Sequence, residues 1–175
     1  MYGFSAESPI TMNKLLADVE FNGGAVYVNG KYYAQNYDYN SDYQLTKSQW
    51  YVYDAETWAL ERTVDCPLDD YSYIAADRTY DPTNGLVYSI VYDKSASGTL
   101  FLATTDLADG KSTLIGAFDK SVFCIAANAD GQLFAIDVNA NLYSIDKTTA
   151  KLTLIANTNI FESYESDYTQ SATID

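Results

Sequence analysis

Short runs of alternating apolar and polar residues, cut by Asn-Gly and Asp-Gly, dominate the chain. Alternation with a period of two puts successive side chains on opposite faces of a half-buried strand, and Asn-Gly or Asp-Gly supplies the positive φ of a tight hairpin. AVYV-NG-KYYA, DPTNG-LVYSIVY and NADG-QLFAID therefore read as strand–turn–strand units. No stretch carries the spacing of an amphipathic helix, so the pattern predicts an all-β chain.

The units repeat. GKYYA (Gly30 to Ala34), GLVYS (Gly85 to Ser89) and GQLFA (Gly131 to Ala135) align without gaps, as do YDAETWALERTV, TDLADGKSTLIG and IDKTTAKLTLIA on Asp54, Asp106 and Asp146. The glycines lie 55 and 46 residues apart and the aspartates 52 and 40. A period of about 40 to 50 residues holding four short strands is that of a β-propeller blade, which buries its faces only against neighbours.

Three blades are expected, at about residues 17–65, 71–119 and 121–158. Their strands are read as Ala25–Asn29, Lys31–Asn36, Gln49–Asp54 and Ala59–Val64; Tyr73–Tyr80, Leu86–Tyr92, Thr99–Asp106 and Ser112–Phe118; Val122–Asn128, Gln132–Asp137, Asn141–Asp146 and Leu152–Asn157. Residues 1–16, with MYGF and ITMNKLL, resemble the last two strands of a preceding blade. Residues 168–175, YTQSATID, resemble YIAADRTYD and VFCIAANAD, the first strands of the second and third blades. The reading is a partial propeller, a fragment of a larger one, whose open blade edges invite self-association.

Composition fits a folded β protein: 47% hydrophobic residues, 17 tyrosines and only 19% charged residues. Ten basic against 24 acidic side chains give a net charge of −14, with no basic cluster, which disfavours nucleic acid and anionic membranes. The absence of histidine removes the usual general base and the commonest zinc ligand. Cys66 and Cys124 have no motif spacing and read as small buried hydrophobes, with a disulfide as the alternative. No apolar run is long enough for a membrane span, and MYGFSAESPI does not read as a signal peptide.

GQLFAIDVNANLYSIDKTTAKLTLIANT and DPTNGLVYSIVYD resemble the repeats of secreted and surface-attached bacterial β-propeller proteins of the YVTN/PQQ-like type, which run G-x-L-Y-x-I-D … L-Y-x-I-D-x-x-T-G-x-x-T-x-I-G. The resemblance implies an exported protein, secreted or at the cell surface or in the periplasm, and some related propellers bind ligands there. Trp58 and Ala150 depart from it, standing where Gly110 has the repeat's glycine. The matched positions are strand cores and turns, so the likeness carries a fold and no activity.

Tight turns are expected on one face of the blades and long connections on the other: Tyr37 to Ser48, Asp65 to Ser72, Tyr92 to Gly98, Gly116 to Ser121 and Asn157 to Tyr168. These place Tyr37, Tyr39, Tyr43, Tyr71, Tyr92, Tyr164 and Tyr168 beside Asp42, Asp70 and Asp93. Rigid aromatic faces next to carboxylates suit a carbohydrate, a peptide or a protein ligand. Asp38, Asn40 and Asp42 have alternate oxygen ligands, but Tyr43 and Gln49 stand where an EF-hand needs glycine and glutamate, leaving a looser calcium site or a plain turn. Asp69 with Asp70, or Glu162 with Glu165, could serve glycosidic acid–base chemistry only at a defined separation. Asp54, Asp106 and Asp146 recur at one position and read as turn caps, Trp50 as packing between blades and Trp58 as a cover on a blade edge.

The function expected is a non-enzymatic binding module that needs no cofactor and presents its long-loop face. A purely structural repeat segment and a carbohydrate-active enzyme are the alternatives.

Overall fold

A computed structural model describes residues 2–5 and 8–14 in their backbone, and residues 23–68, 75–92 and 98–159 with side chains. Every element in these stretches is a β-strand. β1 (Tyr2–Ser5) and β2 (Ser8–Lys14) form an antiparallel pair. Three antiparallel four-stranded sheets follow, each with its strands in chain order and none closed into a barrel. The first contains β3 (Ala25–Val28), β4 (Lys31–Tyr39), β5 (Leu45–Asp54) and β6 (Leu60–Asp65). The second contains β7 (Ala75–Asp81), β8 (Leu86–Tyr92), β9 (Leu100–Thr105) and β10 (Ser112–Ala117). The third contains β11 (Val122–Ala127), β12 (Leu133–Asp137), β13 (Asn141–Ile145) and β14 (Leu152–Asn157).

The expected strands are all present within the described stretches, and one connection is corrected. Tyr37 to Ser48 is not a loop: Tyr37 pairs with Ser48, Asp38 with Lys47 and Tyr39 with Leu45, so β4 and β5 continue the ladder to a turn at Asn40–Gln44. Gly116 and Ala117, the first residues of the Gly116 to Ser121 connection, belong to β10, in keeping with the strand expected over Ser112–Phe118. YTQSATID lies outside the described residues.

The sheets meet through their first strands, with β7 beside β3 on one side and β11 on the other. Amides on the free edge of β11 are satisfied across this contact: Ile125 N–H donates to Asp77 Oδ2 at 2.9 Å and Ala127 N–H to Thr79 Oγ1 at 2.9 Å. Ile90, Leu102, Ile125 and Leu133 form the largest apolar cluster, between the second and third sheets. Smaller clusters built on Val26, Val28 and Val87, and on Trp50, Val52 and Cys66, sit between the first and second.

Equivalent rungs show how the seams differ. The same rung pairs Gln35 with Trp50, Ile90 with Leu102 and Ile136 with Leu142. On the first strands, Arg78 and Ile125 occupy equivalent places, opposite Ser89 and Ala135. The outer turns also reach across. A Cβ on Gly110 would lie 2.8 Å from Cys66 Cβ, and Gly116 lies under the Thr149 carbonyl and Ala150.

Candidate functional site

The turns that read as chemistry in sequence are held by their own side chains. Asn40 Oδ1 accepts the Asp42 and Gln44 amides at 3.0 and 2.9 Å, and Asn128 and Asp137 close the Asn128–Gln132 and Asp137–Asn141 turns in the same way. The fourth residue of each turn has positive φ: Tyr43 at 58°, Gly131 at 75° and Ala140 at 60°. The oxygens of Asn40 that suggested a calcium loop are thus engaged in the hairpin turn, and Asp38 Oδ1 accepts from Asn36 Nδ2 at 3.4 Å. No group of three potential acidic or thiol metal ligands converges among the described residues.

The recurrent aspartates cap hairpins. Asp54 Oδ1 accepts the Thr57 amide at 2.8 Å and the Thr57 hydroxyl at 2.9 Å; Asp106 and Asp146 accept the amides of Ala108 and Thr148, each at 2.8 Å. The Thr57 amide, then the Lys31 ammonium, hold the Asp54 carboxyl well below its ordinary range. Lys31 in turn bonds Asp54 Oδ2 at 3.1 Å and Glu61 Oε1, and the two partners raise its own pKa.

The expected ligand-facing residues separate into two sets. Tyr37 is only 5% exposed, and its hydroxyl accepts the Ala75 amide at 3.3 Å, so it joins the first sheet to the second rather than facing solvent. Tyr37 shares the buried side of β4 with Gln35, while Asp38 and Tyr39 are exposed at the strand's end, where the register shifts. Tyr39, Tyr43 and Asp42 lie on the projecting part of the β4–β5 hairpin, with Tyr43 89% exposed at its tip. Tyr92 is exposed at the end of β8 in the second sheet. Tyr71, Tyr164, Tyr168, Asp70 and Asp93 lie outside the described residues, as do Asp69, Glu162 and Glu165.

Two open clefts, of about 390 and 470 Å³, lie at the opposite, short-turn ends of the sheets. One is lined by Gly85, Val87, Asp106 and Lys111, the other by Tyr27, Lys31, Asp54 and Glu56. Neither includes an expected ligand residue, and the ammonium in the second is already committed to two carboxylates. No family model matches the chain, and no curated protein matches it.

The polar chemistry that sequence reading overlooked is internal. Arg78 is 5% exposed, its guanidinium lies 4.7 Å from the centre of the Trp50 ring, and it donates to the Gly24 carbonyl at 2.8 Å and to Gln35 Oε1. Gln35, itself fully buried, donates to Ser48 Oγ at 2.7 Å. On the other side of β7, burial pushes the Asp77 carboxyl up to about 6, against the lowering effect of the Ile125 and Arg78 amides. Both thiols are free: burial pushes Cys66 up, and pushes Cys124 to about 11 with help from the Asp77 charge. The signal for Arg78 was available in DRTYD (Asp77 to Asp81) set beside CIAAN (Cys124 to Asn128), where the arginine stands against Ile125.

Proposed function

We propose that the chain is a β-propeller binding module without enzymatic activity, belonging to an exported bacterial protein, whose recognition element is the β4–β5 hairpin. One observation supports the reading above all others. Tyr43 puts a large aromatic side chain, 89% exposed, at a left-handed position where the equivalent turns carry Gly131 and Ala140. A left-handed backbone costs an L-residue roughly 1–2 kcal/mol, and exposure of the ring recovers none of it through burial. Such an outlier motivates a role outside the fold.

β4 runs three residues, Tyr37 to Tyr39, past the position equivalent to Asp137 at the end of β12, so the hairpin stands roughly 10 Å beyond its counterpart at about 3.3 Å per residue. It offers tyrosine, asparagine, serine and aspartate, a set suited to adaptable polar contact with a glycan, a peptide or a protein surface. The test is an array of glycans and peptides probed with the wild type and with Tyr43→Gly. Loss of the array signals in Tyr43→Gly, with the thermal midpoint kept or raised, is the expected result. Unchanged binding, or no binding by the wild type, refutes the hairpin and leaves the structural-repeat reading, which the internal use of Tyr37 and the capping aspartates favours.

A further inference from the structure

The two seams between sheets occupy equivalent positions with opposite chemistry. Between the second and third sheets these positions are hydrocarbon: Ile90 and Leu102 meet Ile125, each at most 1% exposed, and the polar contacts of that seam lie beside them, where Asp77 and Thr79 accept β11 amides. Between the first and second, the same positions hold Gln35, Trp50 and Arg78. The polar version is not demanded by the backbone, because its neighbour builds the same junction from aliphatic side chains. It is also costly. The guanidinium is removed from water, no ion pair among the described residues includes it, and Arg78 Nε and Trp50 Nε1 have no hydrogen-bond partner there.

We propose that Arg78, Gln35 and Trp50 are a matching device that lets the Arg78-bearing face of the second sheet pack on the first sheet and on no other. Repeated sheets of like shape face a problem of identity: any apolar seam accepts any apolar partner, within one chain or between copies. The face of the second sheet that carries Arg78 fits only a neighbour offering the Gln35 amide oxygen, the Gly24 carbonyl and an aromatic face. Set against Ile90 and Leu102 of another copy, or against Ile136 and Leu142, the same guanidinium would be buried without an acceptor side chain, which is strongly unfavourable. Discrimination comes from the arrangements made unfavourable, not from added strength in the correct one. This inference is independent of the ligand-binding reading.

The test is refolding of the full chain from denaturant at micromolar concentration, read by light scattering after size separation. Gln35→Leu with Arg78→Met keeps the volume and the Trp50 ring while making the seam apolar. The expected result is a denaturant midpoint no lower than wild type together with a several-fold larger fraction of dimers and higher oligomers. An oligomer fraction equal to wild type overturns the proposal, whatever happens to the midpoint. Should the double variant not refold, Arg78→Met alone, which leaves the Gln35–Ser48 hydrogen bond in place, goes through the same assay: a larger oligomer fraction supports the matching role, and an unchanged one overturns it.

Discussion

Residues with positive φ show most directly where propensity and structure part company. Tyr43, Trp58, Ala140 and Ala150 all sit in the left-handed region that glycine favours, at φ of 58°, 59°, 60° and 61°. At Tyr43 the ring is exposed, so Tyr43→Gly should raise stability by up to about 1 kcal/mol, the relief of strain being partly offset by glycine's freedom in the unfolded chain. Trp58→Gly should gain nothing or lose, because the Trp58 ring packs edge-on against Tyr32 at 5.5 Å and such pairs contribute about 0.5–1.5 kcal/mol. Urea midpoints of the two variants separate these outcomes; a stabilised Trp58→Gly beside an unchanged Tyr43→Gly would reverse the assignment. The repeat alignment made the left-handed position at Trp58 and Ala150 legible. It did not do so for Tyr43, whose turn belongs to a stretch that reads equally well as a loop.

Elements were the most legible level. Alternation and Asn-Gly or Asp-Gly punctuation located each described strand of the three sheets, since period two and turn chemistry are local properties. The extension of β4 and β5 was not legible, because YDYN and QLTKS offer neither clean alternation nor a turn dipeptide until pairing across the hairpin fixes them. Contacts between elements were legible only after the fact. Gly110 combines positive φ with a close approach, for a Cβ there would meet Cys66 and lie 2.9 Å from Trp50 Nε1. Gly110→Ala should therefore cost about 1–3 kcal/mol from overpacking, on top of the backbone strain. Gly30→Ala, with equally positive φ and nothing within 4 Å, should show the strain alone. Equal losses in thermal or urea melts would mean that the outer turn does not press on the neighbouring sheet.

Across the whole molecule, stability should depend on pH through groups pulled in opposite directions. Asp77 titrates near 6 in the folded chain against 3.8 for the ordinary carboxyl. The folded state therefore holds its proton more tightly, and the contribution is fully present below about pH 4 and lost as pH rises through 6. Its size is on the order of 2–3 kcal/mol. Asp81, Asp137 and Asp146 are shifted the other way, so what they contribute is present above the ordinary carboxyl range and is lost as pH falls below it. For Asp81, hydrogen bonds from Lys147 and Thr83 outweigh burial. Maximum stability is expected near pH 4, with a fall toward pH 6. Asp77→Asn, which retains an acceptor for the Ile125 amide, should flatten the fall between pH 5 and 7; denaturant midpoints across that range check it, and an undiminished slope would assign the effect elsewhere. The order of the sheets was readable from the repeat, but the side chains that join them were not, because a seam pairs residues from different repeats.

Arg78 also constrains how such a chain can lengthen over evolutionary time. A tandem duplication of the second sheet would place the new copy's arginine on the Ile90–Leu102 rung, whereas duplication of the third would place Ile125 on Ile136 and Leu142. Genetic growth by copying one repeat is thus open at the third sheet and closed at the second. The buried cation records which sheet can no longer serve as a template for its neighbour.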